Sequence, residues 1–463
     1  MRVLLLLLAV LPLQAQTYDL VIAGGHAMDP ETGLDAVRNI AIANGKIVAI
    51  STRPLTGKRT IDAKGLVVSP GFIDLHSHGQ DDENYRFKAR DGVTTALEME
   101  VGAWPLDKWY AARSGKALVN FGASSGHIPA RMATLRDTGL FLPRDLAVTT
   151  VASPADIALT LDRIREGLSQ GALGIGMGIA YMPKTSREEI LEVFRLAAAQ
   201  HTPLYVHMRN PGPVEPGIVD SLQEMLGNAA ATGAGVHIVH LTSMAFRQTK
   251  LALEMIDGAR VRKLDVTTEC YPYTAGMTML ESAVFDEGWQ QRLGIGFGDL
   301  QWNATGERLT QATFATYRKQ GGAVIIHSIP EEEVRRAIAH PGVIIASDGL
   351  RENGKGHPRA AGTYSRVLAR YVREQKLLPL MEALRKMTIL PAQRANLTGK
   401  GRLKIGADAD LTLFDTAKIE DRATYEKPSV YAEGIPFVIV NGTVVVDRGA
   451  LVEKAFPGRG LKR

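Results

Sequence analysis

Short β-type segments occupy both ends of the chain, where apolar runs are broken by turn signals. The apolar run 40–43 is followed by Asn44-Gly45 and a second apolar run, a pattern typical of a two-residue β-hairpin. A similar arrangement surrounds Asn441-Gly442 near the carboxyl end. The pattern predicts a small β-sandwich domain assembled from both termini, over residues 17–69 and 400–455.

In the middle of the chain, short apolar strands alternate with amphipathic helical stretches. The clearest examples are the strand-like runs 117–121, 204–207, 236–240 and 342–347, and the helical runs 156–168, 187–199 and 331–340. Such alternation favours a parallel sheet, and the length fits closure into an eight-stranded barrel. We therefore predict an α/β fold with a TIM-like (β/α)8 barrel over 70–399, and a polar insertion near 279–322 covering one mouth. A doubly wound open sheet is the alternative.

Composition and charge exclude several classes of protein. The chain is 45% hydrophobic and 22% charged, which is ordinary for a globular protein. Its length of 463 residues predicts a large domain and a smaller one. The formal charge of +5 is spread along the chain, and we find no basic stripe or recognisable nucleic-acid-binding module. Cys270 is the only cysteine, so an intramolecular disulfide is excluded. We expect no nucleic-acid partner, and the oligomeric state stays open.

Residues 1–16 have the pattern of a secretory signal peptide. Arg2 precedes the leucine-rich run 3–13, and the small residue Ala15 follows. The run is too short to span a bilayer as a helix, and its leucine content argues against the alternative of a buried first strand. We expect cleavage near Ala15, export to a periplasm, and no membrane anchor afterwards.

A candidate metal site begins with two histidines at the end of an apolar strand. His76 and His78 lie two positions apart, so their rings face the same side of an extended chain. Imidazole is the commonest metal ligand in proteins. His207, His240 and Asp348 also close apolar strands, and barrel enzymes gather their functional groups at such ends. Together the five predict a binuclear-type centre, although a structural role in the core would explain any one histidine.

Longer motifs carry a resemblance to a known family. They are Pro70–His78, Gly92-Val-Thr-Thr, Gly171-Ala-Leu-Gly-Ile, His207-Met-Arg, Glu269-Cys-Tyr-Pro-Tyr-Thr-Ala-Gly, Ser347-Asp-Gly, the stretch 357–374 and Gly406-Ala-Asp-Ala-Asp-Leu. The chain resembles the amidohydrolase superfamily, and specifically its D-aminoacylase (N-acyl-D-amino-acid deacylase) branch. The resemblance extends over nearly all of the chain after residue 16.

The resemblance implies a function and a set of ligands. It implies a metal-dependent hydrolase of a linear amide bond, acting on a small N-acyl-D-amino acid or a dipeptide. His76, His78, His207, His240 and Asp348 would surround one or two Zn²⁺ ions, and Asp348 would also transfer the proton. Alternatives are a dipeptidase, a cyclic-amide hydrolase, or an inactive periplasmic binding homologue. The complete ligand set argues against the inactive homologue.

The resemblance also implies residues that handle the substrate. His127 would lie near the scissile carbonyl, and either Tyr271 or Tyr273 would supply a hydroxyl that polarises it. Arg359 would hold the substrate carboxylate, because a planar guanidinium binds a carboxylate through two hydrogen bonds. A competing pattern is Gly-x-Ser-x-Gly around Ser124, but the strand–turn–helix context of a serine nucleophile is missing.

The sequence departs from the family at the position of a metal ligand. Members of the family commonly have a cysteine ligand shortly after Gly-Val-Thr-Thr, whereas this chain has Glu98 and Glu100 there. We predict that Glu100, which lies nearer the cysteine's place, bridges two metals, with Glu98 as its rival. A carboxylated Lys184 is a further alternative. A carboxylate is a harder ligand than a thiolate, so Mn²⁺ or Co²⁺ would compete better with Zn²⁺.

Two further departures lie near the substrate. The family motif His-x-Lys reads His240-Leu-Thr242 in this chain, which removes a cationic contact to the substrate. Gly79-Gln80 separate His78 from the acidic pair that follows. The acyl group and the preferred amino-acid side chain are therefore left open by the sequence.

Overall fold

The computed structural model describes residues 17–463, and the signal-peptide prediction for residues 1–16 lies outside them. Among the described helices, none combines the length and apolar character needed to cross a membrane.

Eight parallel strands form the central sheet, and each is hydrogen-bonded to the strand next to it in the barrel order. They are β6 (Phe72–Asp74), β7 (Val93–Ala103), β8 (Asn120–Gly126), β9 (Ile175–Gly178), β10 (Leu204–His207), β11 (Val236–Ile238), β12 (Val266–Cys270) and β16 (Val343–Ile345). These strands are buried on both faces, as expected for a parallel sheet covered by helices. The predicted TIM-like barrel is confirmed.

Most of the α-helices follow the barrel strands and cover the sheet, and the two between residues 289 and 320 lie in the segment predicted as an insertion. The helices are α1 (Asp82–Arg90), α2 (Leu106–Arg113), α3 (His127–Leu135), α4 (Leu146–Thr149), α5 (Pro154–Ser169), α6 (Arg187–Ala199), α7 (Ile218–Thr232), α8 (Leu241–Ala245), α9 (Thr249–Val261), α10 (Trp289–Leu293), α11 (Gln311–Gln320), α12 (Glu331–Ala339), α13 (Arg359–Arg366), α14 (Leu380–Met387) and α15 (Ile389–Arg394). Local sequence sets their ends. Helix α5, for example, begins at a capping box in which Ser153 and Asp156 satisfy each other's backbone N–H groups.

Strands from both termini form a second sheet. They are β1 (Thr17–Asp29), β2 (Leu34–Ala43), β3 (Lys46–Ser51), β4 (Thr56–Asp62), β5 (Val67–Pro70), β19 (Leu411–Phe414), β20 (Phe437–Val440), β21 (Thr443–Asp447) and β22 (Ala450–Leu451). These nine strands form one hydrogen-bonded sheet, in which β5 of the amino-terminal part pairs with β19 of the carboxyl-terminal part. The sheet has its own hydrophobic core, which includes Ile40, Leu411 and Ile439.

The two predicted hairpins are both present in this sheet. Strands β2 and β3 pair antiparallel around Asn44 and Gly45, whose φ angles are 52° and 73°. Positive φ at both central residues is the requirement of the hairpin turn that favours Asn-Gly. Strands β20 and β21 pair in the same way around Asn441 and Gly442.

A small antiparallel sheet is built around the segment predicted as an insertion near 279–322, which contributes one of its three strands, at 300–302, while the other two strands flank the segment in the sequence. Its strands are β13 (Gly276–Met279), β14 (Leu300–Trp302) and β15 (Ala323–Ile326). Val284 and Leu293 of the insertion line a cavity that also contains Asp348, so the insertion covers the carboxyl-end mouth of the barrel. A two-stranded hairpin of β17 (Arg351–Glu352) and β18 (Lys355–Gly356) follows β16.

Candidate metal centre and active site

The predicted metal ligands converge at the carboxyl ends of the barrel strands. His76 and His78 follow β6, His207 is the last residue of β10, His240 follows β11, and Asp348 follows β16. Their ligand atoms form two overlapping groups, and within each group all atoms lie within 4.8 Å of one another. One group contains His76, His78, Glu100 and Asp348, and the other contains Glu100, His207 and His240.

Glu100 is the residue that the two groups share. Its Oε2 lies 2.7 Å from Nε2 of His76 and 3.1 Å from Nε2 of His78. Its Oε1 lies 2.7 Å from Nδ1 of His207 and 3.5 Å from Nε2 of His240. Each oxygen of the carboxylate therefore faces a different histidine pair, which is the arrangement that a bridging ligand requires.

Glu98, the rival candidate for the bridging ligand, lies outside both ligand groups. Its Oε2 lies 2.8 Å from Nδ1 of His78, and its Oε1 accepts the backbone N–H of Val101 at 3.2 Å. Glu98 thus contacts the side of the His78 ring that faces away from Glu100. The geometry favours Glu100 as the ligand and Glu98 as the group that orients His78. Lys184, the third alternative, is exposed.

A second buried carboxylate orients His76, and the sequence analysis did not identify it. Oε1 of Glu269 lies 2.5 Å from Nδ1 of His76, and its Oε2 lies 3.0 Å from Nε2 of His237. On the other side of the centre, Nδ1 of His240 lies 3.1 Å from the hydroxyl of Ser243. Partners of this kind fix the ring orientation and tautomer of metal-binding histidines.

The electrostatics of the centre suit a cation. Glu98, Glu100, Glu269 and Asp348 are all buried beside the histidines. Burial lowers the pKa of His76, but the carboxylates of Asp348, Glu100 and Glu269 outweigh it and raise this pKa to about 10. Burial opposes ionisation of Glu100, yet His76 and His207 hold the pKa of Glu100 well below its usual range.

The donor set therefore fits divalent metal ions. Nε2 of His76 and Nε2 of His78 lie only 3.1 Å apart, so these two ring nitrogens point at the same space. Imidazole nitrogens and carboxylate oxygens together suit Zn²⁺ and also the harder ions Mn²⁺ and Co²⁺. His76, His78, Glu100 and Asp348 would hold one ion, and Glu100, His207 and His240 would hold the other.

Arg359 contacts the carboxylate that is expected to move the proton. Its Nη1 lies 2.9 Å from Oδ2 of Asp348, and its guanidinium carbon lies 4.5 Å from the ring centre of Tyr271. Burial raises the pKa of Asp348, but Arg359 and His76 hold this pKa below its usual range. In this structure Arg359 therefore keeps Asp348 ionised, and its contact with a substrate carboxylate stays a prediction.

The two tyrosine candidates differ in their surroundings. Tyr271 lines a cavity with Asp348, and within residues 17–463 its buried hydroxyl has no hydrogen-bond partner. Tyr273 packs against the guanidinium of Arg366 at 4.7 Å, and its hydroxyl lies 3.5 Å from the carbonyl of Pro358. The geometry favours Tyr271 as the tyrosine that reaches a substrate.

A third tyrosine at the site was missed by the sequence analysis. The ring of Tyr181 lies 4.7 Å from that of His207, and its hydroxyl accepts a hydrogen bond from Thr278 at 3.2 Å. Tyr181 lines both cavities beside Asp348. It follows β9 by three residues, so the rule that identified the histidines, position after a barrel strand, could have identified Tyr181 as well.

His127 is engaged in a separate buried cluster. Its Nε2 lies 2.8 Å from Oε1 of Glu189, and the other oxygen of Glu189 pairs with Arg131. Within the described part of the chain, His127 lines neither cavity beside Asp348. Its role near the scissile carbonyl stays a prediction. Ser124, the serine of the competing pattern, is buried in β8 and donates its hydroxyl to the carbonyl of Met99.

Two cavities adjoin the centre. The first, which we call the His240 cavity, is lined by Tyr181, His207, Pro211, His240, Ser243, Met244, Phe246, Tyr271, Gly276, Met277, Thr278, Val284, Leu293, Ile326, Ser328 and Asp348. The second contains Arg359 with His78 and Glu100. A larger cavity, bordered by Pro203, Gly235 and Gly342, opens at the amino ends of the strands and carries none of these site side chains. We place the active site at the two cavities that contain Asp348.

Comparisons with known proteins identify the family of the chain. A model of the amidohydrolase family matches residues 59–202 and 132–446. A D-aminoacylase of Alcaligenes xylosoxydans xylosoxydans is 32% identical over 97% of this chain and 98% of its own length. An N-acyl-D-glutamate deacylase of the same organism is 31% identical over 96% of each chain.

Solved structures agree as well. The crystal structure of N-acyl-D-glutamate deacylase from Bordetella bronchiseptica, complexed with zinc and a phosphonate inhibitor, superposes with a TM-score of 0.84 at 26% identity. It covers 97% of this chain and 100% of its own. A crystal structure of D-aminoacylase superposes with a TM-score of 0.82 at 28% identity, over 96% and 100% of the two chains. The predicted resemblance is confirmed: the chain belongs to the amidohydrolase family, in its D-aminoacylase branch.

Proposed function

We propose that this chain is a metal-dependent hydrolase that removes the acyl group from N-acyl-D-amino acids. The observation that carries the proposal is the pair of ligand groups joined at Glu100, with the ionised carboxylate of Asp348 facing two cavities. The names of the relatives support the substrate class, since they are a D-aminoacylase and deacylases of N-acyl-D-glutamate and N-acyl-D-aspartate.

The side chains divide the chemistry among themselves. When bound, divalent metal ions lower the pKa of water and polarise a carbonyl group. Oδ1 of Asp348 lies 3.3 Å from Nε2 of His78, so this carboxylate can accept the proton of the attacking water. Asp348 then returns the proton to the leaving amine. The hydroxyls of Tyr271 and Tyr181 stand where they can donate to the oxyanion that develops on the carbonyl.

The lining of the His240 cavity supports apolar amino-acid side chains as the preferred substrates. Met244, Phe246, Val284, Leu293 and Ile326 give its wall an apolar part, and the lining includes no lysine or arginine. An acidic side chain in that cavity would lose its hydration without gaining a cationic partner, which is costly. We therefore expect N-acyl-D-leucine and N-acyl-D-methionine to be better substrates than N-acyl-D-glutamate and N-acyl-D-aspartate.

A substrate series tests this preference. The purified, zinc-loaded chain is assayed with N-acetyl derivatives of D-leucine, D-methionine, D-glutamate and D-aspartate, together with a hydantoin and a dipeptide. We expect kcat/KM to be highest for the two apolar D-amino acids. Preference for D-glutamate would contradict the inferred cavity specificity, and turnover of the hydantoin or the dipeptide alone would identify the other hydrolase classes.

We further propose that the protein is exported, on the pattern of residues 1–16 alone. Expression of the full chain in a Gram-negative host, followed by fractionation and mass determination, tests this. Export predicts a periplasmic product that begins near Gln16. An uncleaved chain in the cytoplasmic fraction would contradict the proposal.

A further inference from the structure

The two end strands of the barrel sheet are joined by side chains close to the active site. In the described residues, β6 and β16 are the terminal strands of the sheet order, and an isolated bridge between Ser77 and Gly349 connects the segments that follow them. Beneath this bridge, three buried side chains meet. They are Asp74 at the end of β6, Lys88 in α1 and Ser347 after β16, and we call them the clasp.

Every member of the clasp bonds to the other two. Nζ of Lys88 donates to Oδ2 of Asp74 at 2.7 Å and to the hydroxyl of Ser347 at 2.6 Å. Oδ1 of Asp74 accepts the backbone N–H of Ser347 at 2.9 Å, and the Ser347 hydroxyl lies 2.6 Å from Oδ2 of Asp74. The segment after β16 is thereby connected to β6 by direct hydrogen bonds between Ser347 and Asp74, and by Lys88, which forms an ion pair with Asp74 and also donates to Ser347.

The clasp controls the backbone on both sides of Asp348. The hydroxyl of Ser347 accepts the N–H of Gly349 at 3.0 Å, so the residues before and after Asp348 are both held. Asp348 itself has a φ of 52°, a left-handed conformation that side-chain-bearing residues adopt only when their surroundings enforce it. The clasp also reaches the metal ligands, since Oδ1 of Asp74 accepts the N–H of His76 at 3.2 Å.

The cost of this arrangement argues that it has a purpose beyond stability. Lys88 and Asp74 are 1% and 0% exposed, so both charges have left water entirely. A buried ion pair stabilises a fold little compared with well-packed apolar side chains, because desolvation offsets the attraction. We infer that such a pair provides one defined geometry, which here includes the backbone beside His76 and on both sides of Asp348.

We propose that Lys88 is a positioning residue for the hydrolysis, acting through Asp74 and Ser347 to hold Asp348 against the metal-binding histidines. This inference rests on the proposed function for its catalytic readout. Lys88 touches neither substrate nor metal ligand in this account. Its removal should let the Ser347-Asp348-Gly349 turn relax, which moves the base away from the attacking water while leaving the substrate cavities intact.

The first test compares two buried lysines that contact opposite ends of β16. Lys88→Met removes the clasp charge, whereas Lys386→Met removes a fully buried lysine that donates to the carbonyl of Val343, at the amino end of β16. In the zinc-loaded chain with N-acetyl-D-leucine, we expect Lys88→Met to lower kcat by about ten- to hundredfold, the scale of a misplaced catalytic group, with KM changed less than about threefold. Lys386→Met should lower the melting temperature with kcat nearly unchanged. An equal loss of kcat in the two variants would overturn the proposal.

Two further measurements keep the proposal testable. If Lys88→Met does not fold, the double variant with Lys88→Met and Asp74→Asn removes both charges. A kcat near wild type in this double variant would overturn the proposal, whereas a depressed kcat supports it.

Zinc affinity does not depend on the substrate. It therefore tests the proposal even if the wild type does not cleave N-acyl-D-amino acids. We expect Lys88→Met to weaken zinc binding by about tenfold or more, the typical effect of groups that orient ligands, and Lys386→Met to leave it unchanged. Equal zinc affinity in both variants and wild type would then overturn the proposal.

Discussion

Oε2 of Glu100 lies 2.7 Å from Nε2 of His76, with both side chains buried at the carboxyl end of the barrel. The second oxygen of Glu100 faces His207 and His240. A single carboxylate is thus the one residue common to both candidate metal groups.

Removal of Glu100 should disrupt metal binding. We expect Glu100→Ala to lower the metal content from about two ions per chain toward one or none, because a bridging ligand contributes to both sites. Glu100→Cys should retain some metal and shift the preference toward zinc, since thiolate is the softer ligand. Elemental analysis of the purified variants measures both effects.

Glu98→Ala is the matched control for this prediction. Glu98 contacts Nδ1 of His78 and not the shared space, so its loss should weaken one site without emptying both. Full metal content in Glu100→Ala together with metal loss in Glu98→Ala would transfer the bridging role to Glu98. Full content in both variants would show that the bridge lies at another residue or that the site is mononuclear.

Asp348→Asn tests the proton-transfer role. The amide keeps the shape of the side chain but cannot accept a proton, so kcat should fall by about two to four powers of ten. Substrate binding should change far less, because asparagine keeps the shape of the side chain that Asp348 contributes to the wall of both cavities. Steady-state kinetics with N-acetyl-D-leucine give both parameters, and a kcat near wild type would assign Asp348 a structural role.

The tyrosines offer a comparison within one residue type. Tyr271→Phe and Tyr181→Phe each remove a tyrosine hydroxyl from the His240 cavity. We expect each substitution to lower kcat by about ten- to a hundredfold, which is less than the loss caused by removing a complete oxyanion donor. Tyr273→Phe removes a hydroxyl that contacts the carbonyl of Pro358 and should leave kcat nearly unchanged. A loss confined to Tyr273→Phe would reverse the assignment.

Metal binding should strengthen as the pH rises. Burial lowers the pKa of His76 and of His78, but neighbouring carboxylates outweigh it, raising the pKa of His76 to about 10 and that of His78 well above its usual value. In the metal-free chain both rings are therefore doubly protonated at neutral pH. A metal ion must displace these protons, which makes its apparent affinity increase by up to about tenfold per pH unit for each proton released. Competition titrations with a chromophoric chelator between pH 6 and 8 measure this slope. An affinity that does not change with pH would contradict the protonated state of these rings.

The fold could be predicted from the sequence because its signals are local. Asn44-Gly45 and Asn441-Gly442 specify hairpin turns through their positive φ angles, and apolar strands followed by amphipathic helices specify a parallel barrel. The histidines could be found for the same reason, since their positions follow directly from strand ends. When the role of a side chain depends only on its position on its own strand, that role can be predicted from a single sequence.

The remaining features depend on contacts between distant parts of the chain. Glu269 lies on β12, two residues before Tyr271. Its role is revealed only by its pairing with His76, which is 193 positions away in the sequence. The ion pair between Arg359 and Asp348 joins the segment after β16 to the first residue of α13, and no motif in the sequence indicates that pairing. His127 has the position of a site residue in the sequence, yet it pairs with Glu189 on a neighbouring helix.

The central claim is that this chain hydrolyses N-acyl-D-amino acids with its metal ions in place. The most direct measurement is the hydrolysis of N-acetyl-D-leucine and N-acetyl-L-leucine by one preparation, assayed as zinc-loaded chain, after prolonged chelation, and after zinc is returned. We predict cleavage of the D-isomer far above that of the L-isomer, loss of this activity on chelation, and recovery with zinc. Equal cleavage of the two isomers, or full activity in rigorously metal-free protein, would contradict the account.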